Sequence, residues 1–403
     1  MISDNKLLSF EIILLGMFVF VLPSLETPKI IFWAMYILVF LIRRFREHGF
    51  TFNRPDVITV SVIALFLVSL LSTFINWPLE KSFSGTFDTL SYCSLFLCLY
   101  HGGYTGRQKK SIALVIIAGV LAGLLFGLNE FTSGITTSLG FHSAGVTTQS
   151  SIYLGIVIIT ALGLQADSER SFVSITFLSV SLFFMGVALL YMGSRGAIFA
   201  VLVCITLSIL LNRNRQFILT SLTLIAAVAS TSYFLINAYP TNINKPEQRE
   251  RFSIDRFNKS DNERLENWQI AIKKISTGKD LVWGIGPKNY LIIDPQNLGI
   301  KSAFYQRTGQ MHHAHNLFLT QWVEQGLIGL CALLTFIFLV ISRLLKSWRY
   351  CLESNKQWVW ISGLGGLTVP VLAGFFNTPF YQEHAMLAMV LMGAMYSETK
   401  KTA

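Results

Sequence analysis

Apolar residues along this chain gather into long blocks separated by short polar or basic interruptions. A helix that crosses a bilayer needs roughly 20 consecutive apolar residues, with a working range of about 17–25. Blocks of this kind predict twelve spans, near residues 7–25, 28–43, 57–75, 85–103, 111–128, 152–166, 171–192, 195–211, 217–237, 316–342, 357–376 and 383–397. The segments 152–166 and 383–397 are the shortest or most polar, the second with His384 at its mouth. The pattern predicts an all-α integral membrane protein of about 12 transmembrane helices. Nine spans lie in 1–237, one large loop fills 238–315, and three spans follow in 316–403.

Composition narrows the class. Of 403 residues, 52% are hydrophobic and 13% charged, whereas a soluble domain carries roughly 25% charged residues. A soluble enzyme, a disordered chain, collagen and a coiled coil are excluded. The net charge of +10 arises from 32 basic and 22 acidic residues, and its placement decides its meaning. With the N-terminus in the cytoplasm, 17 basic residues fall on the cytoplasmic side, among them Arg43, Arg44, Arg107, Lys109, Arg343 and Lys356. The short loops opposite hold only Lys29, Lys81 and Arg195, and the remaining 12 lie in the long loop. Such a bias sets orientation: both termini inside, the large loop outside. The charge is therefore largely topological, which argues against nucleic acid as a partner. The first span lacks a small-residue cleavage site and runs through Pro23 and Pro28 into the next, as an uncleaved anchor would. None of the five cysteines lies in the loop, so no disulfide holds it together.

The loop is too long for a structureless connector and should fold. Ser260-Asp261-Asn262-Glu263 fits a capping box, and Leu265, Trp268, Ile272 and Ile275 follow at helical spacing, with Gly278 as a stop. These features predict an amphipathic helix at about 261–277, with Arg264 in its first turn. Trp283-Gly284-Ile285-Gly286-Pro287 predicts a tight turn; its Gly-x-Gly lacks the strand-turn-helix setting of a nucleotide site.

Three features carry candidate chemistry. Arg195, in Ser194-Arg195-Gly196-Ala197, is either an interfacial snorkelling arginine or an anion ligand with small neighbours that let a ligand approach the backbone. Arg264 is either an ordinary solvated arginine or a second such ligand. His312-His313-Ala314-His315-Asn316 stands where the loop re-enters the membrane. Its His-x-His pair has no cysteine or carboxylate nearby to complete a metal site. The histidines are either interfacial polar groups or suited to proton transfer near neutral pH. Asp261-x-Glu263 could mimic a metal-binding pair, but the capping box accounts for it better. Taken together, two arginines and a histidine on one membrane face could hold a diphosphate leaving group and deprotonate an attacking hydroxyl. In a membrane that chemistry implies a polyprenyl-diphosphate sugar donor.

These residues resemble the O-antigen ligase family within the wider superfamily of O-antigen ligases and polymerases. The family motif places His, then Asn, Ser or Gln, nine residues, Gly, two residues, and Gly, Thr or Tyr. Here it is met by His315-Asn316, Leu317 to Gln325, Gly326, Leu327-Ile328 and Gly329. The surroundings of Arg195 resemble the superfamily's arginine motif, and Arg264 with Trp268, Gly284-x-Gly286-Pro287 and Tyr290 its loop pattern. The resemblance is firm over about 190–330; the first six spans match only in number and hydrophobicity. It implies a GT-C-like, metal-independent, inverting glycosyltransferase with no cofactor, in a Gram-negative inner membrane, its site facing the periplasm. The donor would be an O-antigen on undecaprenyl diphosphate and the acceptor the outer core sugar of lipid A-core. Arg195 and Arg264 would hold the diphosphate and His315 would activate the acceptor hydroxyl. Asn316, Gly326, Gly329 and the neighbouring His313 would support the motif. The closest rivals are an O-antigen polymerase and a protein O-oligosaccharyltransferase. A polysaccharide flippase should carry charged residues within spans and an internal repeat, and neither is evident.

Overall fold

The computed structural model describes all residues except 1–3, 50–54, 79, 137, 146, 168–171, 213–214, 239–253, 277, 303–304, 307–308, 312, 355, 381 and 400–403. Every predicted span falls on a helix. In order these are α1 (Asp4–Val21), α2 (Glu26–His48), α3 (Val57–Ile75), α4 (Glu80–His101), α5 (Gly106–Thr132), α6 (Thr147–Gln165), α7 (Phe172–Met192), α8 (Arg195–Asn212) and α9 (Arg215–Ala238). The loop contributes α10 (Ile254–Ile275), the short α11 (Asp280–Trp283) and two 3₁₀ turns, Asn289–Ile292 and Pro295–Leu298. The chain closes with α12 (Leu317–Glu353), α13 (Gln357–Ala373) and α14 (Gln382–Glu398), and no strand occurs among the described residues.

Among the described residues, five helices are long and apolar enough to cross a membrane: Val57–Ile75, Gly106–Thr132, Thr147–Gln165, Val173–Met192 and Leu317–Glu353. Arg195–Leu211, Phe217–Thr231 and Gln357–Ala373 are shorter apolar helices. The two weakest predicted spans are the most enclosed. Residues Ser150–Gln165 of α6 are all buried, and α14 is buried along nearly its whole length. A helix surrounded by other helices has no lipid-facing stripe to maintain, so Gly, Ser and Thr suit it better than a continuous aliphatic run. Small residues also let such helices approach closely.

The end of the bundle away from the loop is tied by buried and half-buried ion pairs. Arg43 Nε and Nη2 donate to Glu11 at 2.6 and 2.9 Å, joining α1 to α2. Glu398 accepts from Lys109 and Lys356, each at 2.8 Å, joining the end of α14 to the starts of α5 and α13. Glu11, Arg43 and Lys109 are buried and each has a partner, without which its desolvation would be costly; Lys356 and Glu398 are half-buried.

The loop forms a second core against the first turns of α12. Ile270, Ala271, Ile275, Ile285, Tyr290, Ile293, Met311, Ala314 and Val323 pack together there. Two sequence expectations are corrected. α10 begins at Ile254, so Ser260 lies inside the helix rather than capping it; Ile254 and Phe257 carry the helical spacing back past the capping-box motif. The buried stripe is Asn267, Ile270, Ala271 and Ile275, whereas Leu265 and Ile272 face outward. Both stripes satisfy helical periodicity, and packing on α12 selects the one ending in Ala271 and Ile275.

Candidate functional site

α12 has 37 residues, about 55 Å at 1.5 Å per residue and longer than a hydrocarbon core of about 30 Å. It is broken at Gly326, where φ is 69° and ψ −173°. Before the break, Leu317 and Phe318 pack on the bundle while Leu319, Trp322 and Val323 pack in the loop core; after it, Leu333, Phe336 and Ile337 belong to the bundle. The predicted turn at Trp283–Pro287 is a strap crossing this break. Ile285 N–H donates to the Val323 carbonyl and Gly286 N–H to the Glu324 carbonyl, both at 2.9 Å. In an unbroken helix those carbonyls would accept from Leu327 and Ile328; the kink frees them for the strap. α3 grips the same point, with Ser72 Oγ donating to the carbonyls of Trp283 and Glu324 at 2.8 and 2.9 Å. Asn76 Nδ2 donates to the Gly284 carbonyl at 3.1 Å.

The strap explains why glycine stands at 326. A Cβ there would lie 2.0 Å from the Val282 carbonyl oxygen and 2.4 Å from Trp283 N. Gly284 meets the break from the other side, where a Cβ would sit 2.4 Å from the Glu324 carbonyl. At Gly329, one turn further on, a Cβ would meet the Gln325 Cβ at 2.3 Å. The nine residues between Asn316 and Gly326 form the stretch of helix against which the loop packs.

His315 precedes that stretch. Its φ of 51° lies in the left-handed region, which costs a non-glycine residue on the order of 1 kcal/mol. Contacts on both sides hold it there. Asn316 Oδ1 caps α12 by accepting from Phe318 and Leu319 N–H at 3.0 Å, and its Nδ2 donates to the Phe375 carbonyl at 3.2 Å. Leu317 N–H donates to the Gly374 carbonyl at 2.7 Å. Ala314 N–H donates to Thr320 Oγ1 at 3.2 Å, and that hydroxyl lies 3.3 Å from Thr378 Oγ1. The His313 and His315 rings meet edge to face with centroids 4.4 Å apart. His312 lies outside the described residues.

Arg195 is the first residue of α8 and is exposed, beside a buried Ser194. A Cβ on Gly196 would lie 3.6 Å from the Phe376 ring and 3.9 Å from Ala373 Cα. The turn between α13 and α14 therefore touches the start of α8 as well as the His315 segment. The N-terminus of α8 and that of α12 flank this turn, the opening N–H groups of α12 being taken by Asn316 Oδ1 and the Gly374 carbonyl. Arg264 is half-buried on α10, one turn before Asn267, and α10 packs on the opening turns of α12. Tyr290, the last residue of the loop pattern, is buried and donates to the Asn267 carbonyl at 3.1 Å. The structure thus brings Arg195 and His315 to one turn, and Arg264 to the helix that His315 precedes.

The turn at Gly374–Thr378 has no counterpart in the sequence pattern, where the predicted span 357–376 runs through its first three residues. Lys29, counted there as a topological exception, is buried and paired with Glu383, the second residue of α14. Lys288 beside the strap pairs with Asp88 of α4 at 2.6 Å. No sequence motif announces these residues, because tertiary contact alone assembles them. Among the described residues no group of three or more His, Cys, Asp or Glu is arranged to hold a metal ion.

Residues 180–334 match the family model described as O-antigen ligase. The match covers a little over a third of the chain and takes in Arg195, Arg264, His315, Gly326 and Gly329, while Lys29 and the Gly374–Thr378 turn fall outside it. No curated protein matches the chain.

Proposed function

From the premise that residues 180–334 resemble the O-antigen ligase family, we propose that this protein is a membrane-embedded, inverting glycosyltransferase. It moves an O-antigen polysaccharide from undecaprenyl diphosphate onto the outer core sugar of lipid A-core. In this reading the twelve helices α1–α9 and α12–α14 span the Gram-negative inner membrane, both termini are cytoplasmic, and the loop module faces the periplasm.

The acceptor hydroxyl oxygen attacks the anomeric carbon of the donor. The bond from that carbon to the diphosphate breaks, and undecaprenyl diphosphate leaves with the electron pair. His315 takes the hydroxyl proton as general base. Arg195 and Arg264 hold the diphosphate, since a guanidinium fork matches two phosphate oxygens and stabilises the charge that develops on leaving. The N-terminal end of the α8 dipole, at Arg195, adds positive potential beside the diphosphate. No step requires a metal.

The observation that carries the reading is the shared turn. Gly374 and Phe375 hold the His315 segment by two hydrogen bonds, and Ala373 and Phe376 abut the start of α8. That contact supports a reading in which His315 as base and Arg195 as diphosphate ligand, distant in sequence, share one scaffold. The test supplies purified lipid-linked polymer together with lipid A-core, a lipid-linked repeat unit or an exported protein. Glycosylation of lipid A-core is expected. Transfer only to the repeat unit would make the protein a polymerase, and transfer only to protein an oligosaccharyltransferase.

A further inference from the structure

Lys29 lies near the start of α2, at the loop end of the bundle, and its ammonium is enclosed by three partners. Lys29 Nζ donates to Glu26 and to Ser143 Oγ, each at 2.7 Å, and forms a close ion pair with Glu383. Ser143 Oγ also donates to the same Glu383 oxygen at 3.1 Å. Lys29, Ser143 and Glu383 are buried, and they come from α2, the α5–α6 connection and α14. A buried ion pair adds little net stability, because an apolar replacement of similar volume is often neutral or stabilising.

Its position points to another use. Glu383 lies five residues beyond the Gly374–Thr378 turn, whose Gly374 and Phe375 carbonyls bond Leu317 and Asn316, the two residues after His315. α13 holds the near end of the turn through the helix itself, and the Lys29–Glu383–Ser143 cluster anchors the far end. Resting on the reading of His315 as base, we propose that Lys29 and Glu383 are positioning residues. By fixing the Gly374–Thr378 turn they hold the His315 imidazole at the acceptor hydroxyl. Neither touches substrate. They act through the turn, the Leu317 and Asn316 hydrogen bonds and the left-handed backbone at His315. Misplacement of a catalytic group by about 1 Å can cost on the order of a hundredfold in rate.

The test uses the full chain in proteoliposomes, with rates normalised to folded protein and the acceptor being whichever one the wild-type protein uses. Lys29→Met and Glu383→Gln should each lower kcat about 10- to 100-fold, leaving the donor KM within about threefold. The exchanged pair, Lys29→Glu with Glu383→Lys, should recover most of the lost kcat. Ser143→Ala leaves no unpaired charge, should fold even where the charge variants do not, and should lower kcat by a few-fold. Wild-type kcat in the folded variants, a loss falling on KM instead, or no recovery in the exchanged pair would each overturn the proposal. His315→Ala is measured alongside. If it stays active, the base assignment fails; if it is inactive while Ser143→Ala and Lys29→Met are unaffected, only the positioning role fails.

Discussion

Replacing Gly326 with alanine separates the strap from α12 and leaves every proposed substrate-contacting residue in place. The wild-type backbone at φ 69° and ψ −173° is essentially restricted to glycine, and holding alanine there costs about 1–3 kcal/mol. The new Cβ also has nowhere to go. It would sit 2.0 Å from the Val282 carbonyl oxygen, 2.2 Å from the Val282 carbonyl carbon and 2.4 Å from Trp283 N, all backbone atoms that no rotamer change can move. The cheaper outcome is for α12 to continue as a regular helix. Leu327 and Ile328 N–H then take the Val323 and Glu324 carbonyls, and the strap loses its bonds from Ile285 and Gly286. The strap bonds are lost on opening in wild type and variant alike, so the change is the strain of about 1–3 kcal/mol together with the clash, all of it borne by the docked state. Each 1.4 kcal/mol is a factor of ten, so opening should become at least roughly five- to a hundredfold more frequent. Hydrogen exchange followed by mass spectrometry on the peptide containing Ile285 and Gly286 measures this directly. Unchanged protection in Gly326→Ala would refute the account of why the break exists.

Three further outcomes are expected. Arg264→Ala should weaken donor use, and Arg264→Lys should restore it only in part because the planar fork is lost; full activity of Arg264→Ala in a donor titration would remove Arg264 from the site. Burial, and then the charge of Glu324, push the Tyr290 hydroxyl well above the ordinary tyrosine range. Its stabilising contribution is therefore complete below the unfolded value of about 10 and is lost as pH rises above it. Melting of the loop module should fall in alkali, and Tyr290→Phe should remove that dependence at a cost of about 1 kcal/mol; an alkaline dependence persisting in Tyr290→Phe would assign it elsewhere. Transfer should survive a strong chelator, and loss of activity restored by a divalent cation would revive a metal role for the histidines.

The helices were legible because a bilayer demands long apolar blocks, and all twelve blocks became helices. Packing detail was less so. In α10 two stripes, one through Leu265 and Ile272 and one through Ile270 and Ala271, satisfy the same period, and only the surface of α12 distinguishes them. His315, Arg195 and Arg264 stood out as polar residues at span ends or by likeness to a motif. The spacing from His315 to Gly326 was visible as a pattern, but its reason, a strap docked across a helix break, is a contact between segments some forty residues apart. The Gly374–Thr378 turn and the Lys29–Glu383 pair carry no local signature. Glu383 lies 354 residues from its lysine, and no window along the chain joins them.

The central claim, that His315 is the base of a polymer transfer, is tested most directly by His315→Ala with lipid-linked polymer and lipid A-core as substrates. The claim predicts a protein that folds in the membrane, still binds donor, and attaches no polymer. Polymer-bearing lipid A-core formed at the wild-type rate would contradict it.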